Sequence, residues 1–110
     1  MGATIRIESM NVTCLDDVIR LRNKIIQTMP PVGGVANGAM VLSDGTFANM
    51  SLESLQKVLG PKVQGSRNLH EAFLHDELQF FIMFSSLTAV AGNRGQGNYA
   101  AANMVSTTCL

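Results

Sequence analysis

The stretch QFFIMF, residues 79 to 84, places five apolar side chains in a row between polar neighbours, and it constrains the fold more than any other part of the chain. A short unbroken apolar run of this kind reads as a strand covered on both faces, the pattern of a parallel sheet with helices packed above and below it. VGGVANGAMVL, from residue 32, reads as a second buried strand, ending in a loop of small residues whose glycines and alanines let the backbone approach a helix or a ligand closely. In ATIRIES near the start, Ile5 and Ile7 alternate with polar neighbours, which predicts a third, short strand.

Helical patterns separate these segments. Thr13 followed by Asp16 resembles a capping box, and Leu15, Val18, Ile19, Arg22, Ile25, Ile26 and Met29 then fall mostly on one stripe. Pro30 and Pro31 stop that helix, because proline lacks the N–H donor and disfavours helical geometry just before it. Ser51 is placed to cap a short helix carrying Leu52, Leu55 and Leu59. Gly60-Pro61 is expected to break it, with Pro61 in the first turn of another helix reaching about His75. Asp76-Glu77 reads as a turn, Gly92 to Gly97 as a loop, and a last helix starts near Tyr99. Strand, helix, strand, helix, strand, helix is the order of an α/β fold with a parallel sheet.

Composition narrows the function classes. At 110 residues the chain suits one domain at most, and its 46% hydrophobic content with a mean hydropathy of +0.19 argues against disorder. Eight basic and eight acidic residues balance without a basic run, so no nucleic-acid or membrane partner is expected. Cys14 and Cys109 form no metal motif and no disulfide framework; free thiols in a reducing cytosol are the expectation. His70 and His75, five apart, make a poor helical pair for a metal, and no metal site is expected. The methionines read as core filler.

The chemistry lies in FSSLTAVAGNRGQGNYAAAN. Ser86 ends the apolar strand, Tyr99 follows thirteen residues later at the head of a helix, and Asn103 shares its helical face four residues on. In open parallel sheets ligands sit beyond the carboxyl ends of the strands, so two hydroxyls placed there are able to meet one carbonyl oxygen. Tyr99 alone reads as a partly buried helix residue and Lys62 alone as a surface lysine; the GNRGQG loop reads as turn glycines rather than a phosphate cradle.

With the upstream GPKVQGSRNLHEAF, this segment resembles the ketoreductase domain of modular and iterative polyketide synthases, within the short-chain dehydrogenase/reductase superfamily. PPVGGVANGAMVLSDGTFANMS is similar to the fungal, highly reducing iterative type I members in particular. The resemblance covers nearly the whole chain and implies Ser86, Tyr99, Lys62 and Asn103 as the catalytic set. Most stand-alone superfamily members carry a lysine four residues after the tyrosine; here that position is Asn103, and the lysine stands at position 62, an exchange that marks the synthase ketoreductases.

The resemblance implies that Tyr99 is the general acid and that Ser86 hydrogen-bonds the ketone oxygen. A phenol has an unperturbed pKa of ~10, and an ammonium beside it eases the loss of its proton, the role implied for Lys62 along with holding the nicotinamide ribose. Asn103 is implied to orient Lys62. The implied cofactor is NADPH, with Asn11 and Val12 by the adenine and Asn37, Gly38 and Ala39 along the ribose and nicotinamide, besides Lys62 and Tyr99. The implied reaction converts a β-ketoacyl thioester, carried by phosphopantetheine on an acyl carrier domain, to a β-hydroxyacyl group. It would take place within a cytoplasmic multifunctional enzyme of secondary metabolism whose other synthase domains are partners. The alternative is a stand-alone reductase of a small ketone or alcohol, against which Asn103 argues. Leu42-Ser43-Asp44 stands where some members carry Leu-Asp-Asp, and no product configuration is assigned.

No G-x-G-x-x-G follows an opening strand, the turn that grips a cofactor pyrophosphate in this fold. The resemblance places residue 1 near the third strand and residue 110 inside the helix after the tyrosine. The expected fold is therefore the C-terminal part of a Rossmann-like doubly wound parallel sheet, with residues 1–110 a partial ketoreductase domain truncated at both ends. Its third strand would lack a lateral partner and its fourth would expose an edge, so the 110 residues alone are expected to be inactive and not a stable NADPH-binding unit.

Overall fold

The computed structural model describes residues 2–108. Its chain order is α1 (Leu15–Thr28), β1 (Gly34–Asn37), a 3-10 turn (Phe47–Asn49), α2 (Leu52–Leu59), a π-helical turn (Gly60–Gln64), α3 (Gly65–Ala72), β2 (Phe80–Met83), α4 (Thr88–Ala91) and α5 (Gly97–Thr108). β1 and β2 pair in parallel with Gly34 opposite Phe80 and Asn37 opposite Met83. The α2–α3 rod crosses between them, so the expected α/β class with a parallel sheet holds.

α1 begins one residue later than a Thr13 cap would put it. Cys14 is its cap and gives no side-chain bond; the turn before it is tied instead by Asn11 Oδ1, which accepts from the Thr13 N–H at 3.0 Å and the Thr13 hydroxyl at 2.6 Å. Asp17 reaches back to the Asn11 N–H at 3.2 Å, so the first-turn carboxylate orders the loop rather than the cap. The helix ends as the prolines require, with Met29 already extended at φ −136° and ψ 163°. Its buried stripe is narrower than expected: Val18 is fully buried, while Ile19 and Ile26 are exposed.

Ser51 caps α2 as expected, its hydroxyl accepting from the Ser54 N–H at 3.1 Å. Gly60-Pro61, however, does not break the helix. One helical rod runs from residue 52 to residue 72, and the chain absorbs the proline in a π-helical turn in which the Gly65 N–H reaches Gly60 O, five residues back. Pro61 has no N–H to leave unpaired, and a wider turn relieves the clash of its ring with the preceding one. α3 ends at Ala72, short of His75, and the chain turns at residues 73–76. Arg22 of α1 holds that turn by two bonds to the Asp76 carboxylate, 2.7 and 2.9 Å, with its guanidinium 6.0 Å from the Phe73 ring centre. The Arg22 guanidinium draws the Asp76 carboxyl below its ordinary range.

The core joins Val18 of α1 to Leu69 of α3 and Phe73, with Val12, Val35 and Phe81 packed against it. Full burial of such side chains stabilises by about 1.5–3 kcal/mol each. A second contact sets α5 against α2 and the π-helical turn, burying Val58 and Ala102.

Two sequence expectations fail here. Residues 3–9 form no strand, and Ile5 and Ile7 are 81% and 92% exposed, because a strand needs a neighbour to hydrogen-bond and none of the described residues supplies one. β2 is covered on one face only: Phe81 meets the core, while Phe80, Ile82 and Phe84 are exposed on the other face. The Phe80 ring lies over Gly34, where a Cβ would come within 2.3 Å of it, so a larger residue there would require the exposed ring to move aside. Among the described residues no helix is long and apolar enough to cross a membrane. Cys14 is a free thiol, and Cys109 lies outside the described residues.

Candidate functional site

The parallel register brings the carboxyl ends of both strands side by side, Asn37 closing β1 and Phe84–Ser86 leaving β2. The π-helical turn packs beside them. It carries Lys62, which is only 4% exposed and whose ammonium donates to the Phe84 carbonyl at 2.7 Å, two residues before Ser86. The turn that admits Pro61 thus points a buried cation at the end of β2.

Ser86 is partly buried, and its hydroxyl oxygen accepts from the Thr88 N–H at 3.3 Å and the Thr88 hydroxyl at 3.1 Å at the start of α4. A hydroxyl that accepts twice keeps its own proton to donate. Its neighbour Ser85 donates to the Asn103 carbonyl at 3.0 Å, fastening α5 to the same strand end. Asn103, fully buried, donates from Nδ2 to the Tyr99 carbonyl at 2.8 Å, one turn back. The Tyr99 hydroxyl points to Met40 Sδ at 3.7 Å, a weak acceptor, and it makes no hydrogen bond with Lys62. Lys62 is therefore tied to the end of β2 two residues before Ser86, Asn103 joins through Ser85, and Tyr99 is fixed through its backbone while its phenol stands toward the loop after β1.

Asn37, 5% exposed, spends its side chain on structure. Its Nδ2 donates to Pro61 O at 3.1 Å and to the Ser66 hydroxyl at 2.9 Å, and its Oδ1 accepts from the Ala39 N–H at 3.1 Å. It ties the end of β1 to the π-helical turn, leaving Gly38 exposed beside it while the Ala39 N–H is already engaged. Two residues beyond Ser66 in α3, Asn68 Nδ2 donates to Val12 O at 3.0 Å, while Asn11 serves the loop described above.

Sequence reasoning passed over the residues that hold this arrangement. Asn98, 1% exposed, donates to Ser43 O at 2.8 Å and accepts the Tyr99 N–H at 2.8 Å, so it locks the loop after β1 to the head of α5. Gly45 N–H to Gly95 O at 2.7 Å and Gln96 to the Asp44 carboxylate at 3.3 Å complete that lock. The signal available was the six asparagines of the three motif-bearing segments, a residue type that is rarely buried without a partner. A separate cavity of about 460 Å³ lies between residues 4–8 and α1, away from all of these groups. Among the described residues no cluster of three or more His, Cys, Asp or Glu is placed to hold a metal.

Comparison with known proteins places this arrangement in context. A family model described as "KR domain" matches residues 1–109. The chain is 62% identical over 103 residues to a polyketide synthase-nonribosomal peptide synthetase hybrid of Aspergillus japonicus, covering 94% of this chain and 3% of that protein. It is 51% identical over 110 residues to a hybrid PKS-NRPS synthetase of Aspergillus flavus, covering 100% of this chain and again 3% of the relative. The chain thus spans about 3% of the length of the curated relatives it matches. Among solved structures, an N-terminal ketoreductase from the macrolactin assembly line superposes with a TM-score of 0.81 at 35% identity, over 84% of this chain and 19% of that one. The first ketoreductase of the tylosin PKS gives 0.74 at 37% identity, over 86% and 20%.

Proposed function

Because the chain belongs to the KR domain family of polyketide synthases, we propose that it forms part of a larger ketoreductase domain that reduces a carrier-bound β-ketoacyl thioester to the β-hydroxyacyl product with NADPH. The observation that carries this reading is the convergence on one strand end: Lys62 on Phe84 O, Ser85 on Asn103 O, and Ser86 beside them. The residues present suit a nicotinamide dinucleotide. A buried ammonium, a serine proton free to donate and a phenol on a weak acceptor stand around the carboxyl ends of parallel strands.

The bound cofactor supplies the hydride. This chain's own residues handle the oxygen. Ser86 keeps its proton and donates a hydrogen bond to the ketone oxygen, stabilising the negative charge that develops there. Tyr99 gives its phenolic proton to that oxygen, exchanging a poor thioether acceptor for a good one. Lys62 holds the nicotinamide ribose and presents positive charge to the phenol. Asn103 keeps Tyr99 in register through the helix backbone. The acyl carrier domain, the other synthase domains and the cytosolic setting belong to the same reading, in which the hybrid-synthetase names of the relatives support further synthase domains.

The test is NADPH oxidation by the full-length protein with a β-ketoacyl thioester. Tyr99→Phe is expected to lower kcat by about 10²–10⁴-fold, the worth of a positioned general acid. Wild-type turnover retained in that variant would sink the assignment.

A further inference from the structure

α3 carries polar residues where a helix in a core would carry leucines. Gly65, Ser66, Asn68 and Leu69 are all buried. Ser66 faces Asn37 at the end of β1, Asn68 faces the opposite loop, residues 11–13, and Gly65 sits between them: a Cβ there would press on Val12 and stand at an ordinary 3.6 Å from Asn37 Nδ2. Asn68, 2% exposed, is fully engaged there: its Oδ1 accepts from Gln64 Nε2 at 2.8 Å, and its Nδ2 donates to Val12 O at 3.0 Å. Gly65 forms the seat beneath the Val12 side chain. A Cβ at that position would lie 2.9 and 3.1 Å from the two Val12 γ-carbons. The loop is therefore held at one residue from two sides, by a hydrogen bond to its carbonyl and by a missing methyl under its side chain.

We propose that Asn68 and Gly65 are positioning residues that set the 11–13 loop and thereby the affinity for the 2′-phosphoadenosine half of the cofactor, leaving the reacting half untouched. This rests on the reading that Asn11 and Val12 lie by the adenine. The physical basis is local. Valine is stiff at χ1 and cannot swing away from an added methyl without moving its backbone. A carbonyl that loses a buried partner is left unsatisfied unless the loop moves to find another. Either change displaces the same loop; Gly65 is bonded to Lys62 only through its backbone N–H, which alanine keeps, and the Asn68 side chain bonds Gln64 and Val12.

The experiment separates the cofactor's two halves in the full-length protein. Calorimetry gives the Kd of 2′-phospho-ADP-ribose, which lacks the nicotinamide; steady-state kinetics give kcat and KM with reduced nicotinamide mononucleotide, which lacks the adenosine. Asn68→Ala and Gly65→Ala are each expected to raise the Kd about tenfold, the scale of one buried hydrogen bond, and to leave the mononucleotide parameters within twofold of wild type. The two variants disturb the loop by different means, so agreement between them is part of the expected result. If Asn68→Ala does not fold, Asn68→Leu keeps the side-chain shape without adding a charge while removing the donor to Val12 O, and the same split is expected of it. An unchanged Kd overturns the proposal, as does an equal loss with both probes, which would make the residues supports of the whole fold. Wild-type protein that binds neither NADPH nor 2′-phospho-ADP-ribose would instead refute the cofactor reading itself.

Discussion

On one face of the two-stranded sheet, Val35 and Phe81 pack against Val18, Leu69 and Phe73, and Phe81 meets the His70 ring edge-on at 6.1 Å between centres. On the other, Ala36, Phe80, Ile82 and Phe84 are exposed, although Phe80, Ile82 and Phe84 are as apolar as anything beneath the sheet. The same short run of sequence feeds both. The difference teaches that burial is conferred by whatever crosses above a strand: α1 and α3 cover one side, and none of the described residues covers the other. An apolar face of this kind is a liability in water and gains stability only when something packs on it.

The largest effect expected of this contrast concerns the 110 residues by themselves. With one sheet face bare they should show no sharp cooperative thermal transition, and NADPH should produce no shift. A cooperative melt raised by NADPH, by the ~2.7 kcal/mol that ligand at a hundred times its Kd confers, would refute this. On the covered face, Phe73→Ala in the full-length protein should cost about 3–5 kcal/mol, read as a lowered urea midpoint of the transition that contains this region. A loss below 1 kcal/mol would mean the core described here is not the one that holds the domain.

Ile82→Lys sharpens the comparison because its sign depends on context. In the isolated residues it should reduce aggregation, measured by light scattering. In the full-length protein it should destabilise by a few kcal/mol if the remaining chain covers that face, since a buried unpaired charge is costly. Equal behaviour in both settings would show the face to be open in the whole protein too.

The smallest effect is at the Arg22–Asp76 tie. Asp76 is held below its ordinary carboxylate range by the guanidinium. Its contribution is therefore present above the unfolded-state value of about 3.9 and lost as pH falls through the lower folded value. Asp76→Asn should flatten the stability profile of the full-length protein below about pH 4 and leave its slope near neutrality unchanged. An unaltered acid limb would count against the tie.

How much of this was legible beforehand depended on how local the cause was. The Ser51 cap, the stop at Pro30-Pro31 and the strand character of residues 80–83 all came through, since each follows from interactions within a few residues. The expected break at Gly60-Pro61 did not occur. A proline is a strong local signal, but Asn37 reaches across from β1 to bond the Pro61 carbonyl and holds the turn in a wider helical form. The strand expected at residues 3–9 failed for the converse reason, lacking a neighbour to pair with. At the site, Ser86, Tyr99 and Asn103 were readable as residue types at a spacing, and Lys62 through the family resemblance alone. Asn68, Asn98 and Ser66 were not, because a buried amide or hydroxyl looks like any surface one until its partner, tens of residues away, is known.

By itself, the sequence determined the alternation of strand and helix, the parallel pairing class and the set of hydroxyl, amine and amide groups available for chemistry, because periodicity and residue type are properties of neighbours along the chain. Tertiary structure decided which face of β2 is covered, where the Lys62 ammonium points and which asparagines hold the loops. Those outcomes depend on hydrogen bonds and contacts between segments twenty to fifty-six residues apart, such as Lys62 to Phe84 and Asn68 to Val12, and no local pattern encodes the distance between such partners in space.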